Sequence, residues 1–257
     1  MSMPVCNLCL KETELSLSHI IPRSFLKRLK KSSPQLIKIQ DAPGVRPVKE
    51  NADWKERLLC GECEIFINEN YERGQILFLR GRGNVSKSHD KITFRNFDFE
   101  RFYLFLLSIL WRASISSHEA FEVVKLTQEL QNVFRQALLN REDKISGSVR
   151  VSDVLKIGIV RITNHPYMTE EETKSIISHF NLRHTEEGHI YYFMVEGFLI
   201  SYCLPKSSES EFPRDLGVFK NSFFLRMPKV QVEKSEVLAK MYEGMISKAI
   251  EFSTELR

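Results

Sequence analysis

Hydrophobic and polar positions change period several times along this chain. Leu15 and Leu17 alternate with Glu14 and Ser16, the pattern of a half-buried strand that ends on His19. Pro22 then suits the first turn of a helix, because its fixed φ fits there and its missing N–H costs nothing. Phe25, Leu26 and Leu29 form one stripe of that helix, and Ser32-Ser33-Pro34 stops it. Leu36, Ile37 and Ile39 read as a strand, and Asp41-Ala42-Pro43-Gly44 as a turn. Trp54 to Leu59 leads into a helix expected to run to about Tyr71, with Ile65, Phe66 and Phe78 packed inward. Residues 84–93 are polar enough to be a linker.

The second half begins with a strongly apolar helix, Phe97 to Ser114. Ser117 is placed to cap another, because apolar residues from Ala120 to Leu138 keep helical spacing as far as Asn140. Between Val149 and Ile162 the period shifts, and Ile157, Ile159 and Ile162 read as a strand. Thr169 opens an acidic turn, Glu170 to Glu172, that suits a helix dipole, and this helix is expected to reach about Phe180. His189 to Leu204 splits at Gly197 into two strands, Ser222 to Val232 adds a third, and Val237 to Phe252 closes as an amphipathic helix. The expected fold class is α+β, with residues 1–92 as one domain and 93–257 as a second α+β domain of unassigned role. No internal repeat is present, and Arg80-Gly81-Arg82-Gly83 fits none of the Gly-rich nucleotide loops.

Composition adds little to that picture, and charge adds more. With 42% hydrophobic and 27% charged residues the chain is of globular type, and 18 phenylalanines imply an aromatic-rich core. Residues 1–91 hold 16 Lys+Arg against 11 Asp+Glu, whereas the remainder holds 21 against 22. The basic excess therefore lies in the N-terminal part and favours an anionic partner there. Arg23, Lys27, Arg28, Lys30 and Lys31 place five positive charges and no acid on the first helix, a face able to contact phosphates. The longest apolar run lies between Arg101 and Arg112, well short of the roughly 20 residues a bilayer requires. No basic, then apolar, leader pattern opens the chain, so a cytoplasmic location without membrane contact is expected.

In a reducing compartment, paired Cys-x-x-Cys clips read as metal ligands rather than disulfides. There are two, Cys6-Asn7-Leu8-Cys9 and Cys60-Gly61-Glu62-Cys63. Together they complete the tetrahedral four-sulfur set of a structural zinc, which leaves no open coordination position for chemistry. Cys203 sits in an apolar run and is expected to be a buried, inert thiol. His184 and His189, flanking Glu186, Glu187 and Gly188, read as a solvated hairpin tip.

The first clip, then His19-Ile20-Ile21-Pro22, then Leu58-Leu59 before the second clip, together resemble the zinc-containing branch of the HNH endonuclease family over about residues 4–75. The resemblance implies a ββα-metal, treble-clef-like finger. It implies His19 as the general base for phosphodiester attack, and Glu64, where the family commonly has histidine, as ligand to a catalytic Mg²⁺ or Mn²⁺. Arg23, Lys27 and Arg28 would hold nucleic-acid phosphates. Besides Glu64, two further positions depart from the family. Its usual acid before the histidine is here Ser18, and its usual asparagine falls at Lys55, with Asn51 and Asp53 near but out of register. Asp53, Glu56 or Glu62 would have to complete the hard-cation site. The expected function is a metal-dependent nuclease. The alternative is a zinc finger that binds nucleic acid or serves as an adaptor without cutting, with a protein partner on the C-terminal domain.

Overall fold

The fold is that of a computed structural model describing residues 3–26, 36–39, 48–50, 53–81, 85–163, 169–186, 188–205, 218, 220 and 223–231. In chain order the first strands are β1 (Ser16–His19), β2 (Leu36–Ile39), β3 (Val48–Glu50) and β4 (Lys55–Leu59). Between β1 and β2, residues 23–26 are helical, and Phe25 and Leu26 are buried as expected of the stripe. The rest of the expected helix, with Lys27, Arg28 and Leu29, lies outside the described residues, as do Asp41 to Gly44 and 237–252. β1 pairs antiparallel with β4, setting His19 opposite Lys55, and the chain passes from β4 through Cys60 into α1 (Gly61–Ile67). The helix does not end near Tyr71. It continues through a π-helical turn, Asn68–Glu72, into α2 (Arg73–Leu79). Phe66 and Phe78 pack against the core, but Ile65 is 59% exposed, because it follows Glu64 on a face turned to solvent.

The expected linker is in fact a hairpin of β5 (Val85–Lys87) and β6 (Lys91–Arg95), with Ile92 and Phe94 pointing inward. β6 spans the expected boundary at residue 92. α3 (Phe99–Ile115) follows, capped by the Asp98 carboxylate on the Arg101 N–H. Every residue from Phe102 to Ala113 is buried, so α3 is covered on all sides. The single helix expected over 117–140 is two pieces, a 3₁₀ turn at Glu119–Phe121 and α4 (Gln128–Asn140). His118 caps the turn and Thr127 caps α4. The stretch from Val149 begins with a short helix, α5 (Val151–Val154), before β7 (Lys156–Ile162). α6 (Glu170–Ser175) opens at Thr169 with the expected acidic turn, closed by a capping box between Thr169 and Glu172, but stops after six residues. Its continuation is β8 (Ile176–Ser178), which pairs parallel with β2, so a long-range pairing overrides the helical pattern.

The remaining strands, β9 (Asn181–Thr185), β10 (Gly188–Val195), β11 (Phe198–Pro205) and β12 (Phe224–Val230), complete a seven-stranded sheet of order β5-β6-β12-β7-β11-β10-β9. All its pairs are antiparallel except β12 with β7. The sheet packs on α3: Tyr202 donates to the Leu106 carbonyl at 3.0 Å, and Phe180 stacks on Phe193 at 4.6 Å. Most of the buried apolar residues form one cluster running from Cys6 and Leu8 in the N-terminal loop to Met227 in β12, while Val160, Ile162, Met194 and Leu199 of the sheet are buried outside it. Cys203 is buried, as read from its apolar surroundings. The fold is thus α+β, and among the described residues no helix is long and apolar enough to cross a membrane.

The β10–β11 turn is made by Glu196 and Gly197, both with positive φ, 51° and 72°. A Cβ on Gly197 would stand 3.1–3.3 Å from the Arg161 guanidinium. Gly197→Ala should therefore cost about 1–3 kcal/mol, from left-handed strain and from displacement of Arg161. Urea titration measures this; an unchanged midpoint would refute the close approach.

Candidate metal centre and adjoining cavity

Residues 5–12 fold back on themselves. Val5 and Glu12 form an isolated bridge, the Leu10 N–H donates to the Cys6 carbonyl at 2.8 Å, and Leu10 takes the left-handed φ of 61° that closes the knuckle. Asn7 fixes this knuckle to the end of β4, donating to the Leu58 carbonyl from its backbone (3.1 Å) and its side-chain amide (2.9 Å). From the other side, Cys60 occupies the extended N-cap position of α1, and its N–H points at Cys6 Sγ at 3.3 Å. The Sγ atoms of Cys6, Cys9, Cys60 and Cys63 all lie within 4.8 Å of one another.

The donor set fits a thiophilic tetrahedral ion. Burial disfavours the thiolates of Cys6, Cys9 and Cys63. For Cys6 that burial is outweighed by donors, chiefly the N–H groups of Cys9, Cys60 and Leu8, which bring its thiol down to about 7. The Cys63 thiol is pushed up, first by burial and then by the neighbouring sulfurs, and Cys9 is raised mainly by burial. Thiolates this close together repel one another, and a bound cation would offset that repulsion. The cluster can therefore bind a metal ion such as zinc, and among the described residues no histidine or carboxylate joins it.

Beside the cluster lies a cavity of about 400 Å³, lined by His19, Arg23, Glu64, Asn68, Glu72 and Arg112, among others. His19 reaches it from the end of β1. Its N-terminal neighbour Ser18 is fully buried and accepts the Leu59 N–H at 3.2 Å, so that serine pins β1 to β4. The His19 ring Nε2 lies 3.1 Å from Asp53 Oδ1, and Asp53 Oδ2 accepts Lys55 Nζ at 2.8 Å. Lys55 foremost, with His19 adding to it, holds the Asp53 carboxyl below its ordinary range against a smaller effect of burial. A carboxylate on Nε2 keeps that nitrogen protonated and leaves Nδ1 as the basic one.

Glu64 arrives one turn after Cys60, its N–H bonded to the Cys60 carbonyl at 3.0 Å. Its Oε1 is buried and has no hydrogen-bond partner among the described residues. Asn68 and Glu72 follow at four-residue spacing and face the same cavity. Its inner wall is Arg112 of α3, 1% exposed, which donates to the His19 carbonyl at 2.7 Å and pairs with Glu72 at 2.7 Å.

The structure thus brings His19, Glu64 and Arg23 to one cavity next to the four cysteines. Lys27 and Arg28 lie outside the described residues. Of the three carboxylates considered for completing the site, only Asp53 reaches His19. Glu56 is engaged by Ser116 and by both the N–H and hydroxyl of Ser117, and Glu62 is exposed on α1. Asn68, Glu72 and Arg112 were not singled out from the sequence. Arg112 carried a usable signal, since a charge inside an otherwise apolar, buried helix must have a partner.

No family model, curated protein or solved structure matches this chain. Its function is therefore argued from the site itself.

Proposed function

We propose that residues 4–75 form an HNH-like, treble-clef-type finger that cuts nucleic-acid phosphodiesters. A structural zinc would sit on Cys6, Cys9, Cys60 and Cys63, and a Mg²⁺ or Mn²⁺ ion at Glu64. The supporting observation is that His19 and Glu64 line one cavity directly beside the four-sulfur cluster. Asp53 orients the His19 ring, so that Nδ1 takes the proton from the attacking water. Arg23 stands exposed at the cavity and would hold a phosphate oxygen. The buried, unpartnered Glu64 oxygen fits a hard cation, with Asn68 as a neighbouring oxygen donor. Such a cation supplies charge stabilisation at the phosphate and the leaving oxygen.

One observation favours a second reading, a finger that binds without cutting. Ser18 is buried and already engaged with Leu59, so no carboxylate stands where the family has its acid, and Lys55 occupies Asp53. Nicking of plasmid DNA and cleavage of RNA, each with chelator, Mg²⁺ or Mn²⁺, separates the two. The nuclease reading expects divalent-dependent cutting that falls about 10²–10⁴-fold in His19→Ala, with bound zinc unchanged. Glu64→Gln should fall similarly. Salt-dependent binding with no cleavage in any metal would establish the second reading instead.

A further inference from the structure

A second cavity, of about 590 Å³, lies away from the cysteine cluster, where the end of α2, the β5–β6 hairpin, α6 and the β10–β11 turn meet. Among the described residues its lining carries five cations, Arg80, Lys87, Arg161, Lys174 and Lys229, against two carboxylates, Glu170 and Glu196. Among these residues three positive charges are thus in excess. The lining also includes apolar side chains, among them two aromatic rings, Phe94 and Phe198.

The cationic wall is fixed in place. Arg161 is 8% exposed and held on three sides: its Nη1 donates to the Glu196 carbonyl at 2.6 Å, its Nη2 lies 3.7 Å from Glu170, and its guanidinium sits 4.8 Å from the Phe198 ring centroid. Gly197 leaves room for it, since a side chain there would press on the guanidinium. Arg80 lies 3.5 Å from the buried Glu196 carboxylate, and Glu196 adopts a left-handed φ of 51° that a non-glycine residue takes up only under constraint. Lys174 pairs with Glu170 at 2.6 Å, and Lys229 donates to the Ser88 carbonyl at 2.6 Å. Lys87 is exposed at the rim.

Charge and shape together narrow the ligand class. Three excess cations ask for a multiply charged anion, which a fatty acid is not. Apolar lining that includes two rings beside the cations asks for an apolar body next to the charge, which inorganic phosphate and sugar phosphates lack. The volume falls in the range of about 300–1,000 Å³ typical of small-molecule sites. We propose that this cavity binds a free mononucleotide, its phosphate on the Arg80, Lys87, Arg161 and Lys174 side and its base over Phe94 and Phe198. The site shares no lining residue with the His19 cavity, although Arg80 donates to the carbonyl of Ser24 in that lining at 2.7 Å, and the proposal does not depend on whether that cavity cuts.

Calorimetric titration of the metal-loaded full chain with AMP, adenosine, inorganic phosphate and a short oligonucleotide tests this. AMP should bind saturably, phosphate more weakly, and adenosine not measurably. The Lys87→Gln/Lys174→Gln variant, altered at the more exposed cations so that folding is spared, should weaken AMP about tenfold or more. Arg161→Gln should do the same, with thermal melting confirming a folded protein. Absence of saturable AMP binding up to about 1 mM, equal affinity for AMP and adenosine, binding of the oligonucleotide alone, or AMP binding unchanged in the lysine variant would each overturn the proposal.

Discussion

Stripping the metal from the four-cysteine cluster is expected to unfold the N-terminal knuckle and the β1–β4–α1 unit. The reason lies in how little else holds residues 3–15 in place. Leu8 and Leu15 are buried, but Met3, Val5 and Leu10 are exposed, so the loop has almost no core of its own. Its other anchors include hydrogen bonds from Asn7 to the Leu58 carbonyl, from Arg135 to the Leu8 carbonyl at 3.0 Å and from Arg57 to the Leu15 carbonyl. Each contributes about 1 kcal/mol, whereas a structural zinc contributes on the order of 10 kcal/mol in small domains. Mass spectrometry should find one zinc per chain. A strong chelator should lower the thermal midpoint and expose residues 3–19 and 55–67 to hydrogen exchange, and Cys60→Ser should reproduce both effects. Cys203→Ser is the control and should leave metal content unchanged, because that thiol lies outside the cluster. A folded, metal-free wild-type protein would remove the basis of the frame.

The cysteine cluster was legible because two-residue spacing constrains sulfur positions locally, whatever the rest of the fold does. Strand β1 was legible in place but not in facing: Leu15 and Leu17 were expected on the buried side, yet the register shifts between Ser16 and Leu17, so Leu17 is 50% exposed and Ser18 is buried instead. Asp53 was not legible. It sits out of register in the sequence, and only the pairing of His19 with Lys55 brings its carboxylate onto the His19 ring. The β5–β6 hairpin was read as linker because Ser86, Lys87, Ser88, Asp90 and Lys91 mask an alternation carried by Ile92 and Phe94 alone. The break before α4 was hidden by Val123, Val124 and Leu126, which kept helical spacing. Thr127, the true cap, was the residue to weigh. For β8, no local feature would have served. Its partner β2 lies about 140 residues earlier, and pairing at that distance is set by the whole fold.

Arg112→Met should cost about 3–5 kcal/mol of stability, the range found when one member of a buried ion pair is removed. Arg112 is almost fully buried in α3 and serves two acceptors of the N-terminal unit, the Glu72 carboxylate at 2.7 Å and the His19 carbonyl at 2.7 Å. Its Nε also donates to the Ser108 carbonyl at 3.2 Å, so the side chain is held along its length. Removing the guanidinium leaves Glu72, whose side chain is 13% exposed, without its counter-charge, and leaves the His19 carbonyl without this donor. Methionine keeps most of the volume, so the loss reports the charge rather than a cavity. Urea denaturation of the metal-loaded protein measures it, and the pair Arg112→Met/Glu72→Gln completes the test. If the loss comes from the stranded carboxylate, the double variant should be more stable than the Arg112→Met single variant. Strictly additive losses would show that Arg112 acts through the His19 carbonyl instead. Helix α3 would then brace the histidine directly, and under the proposed nuclease reading Arg112→Met should also reduce divalent-dependent cutting in protein whose zinc content is unchanged.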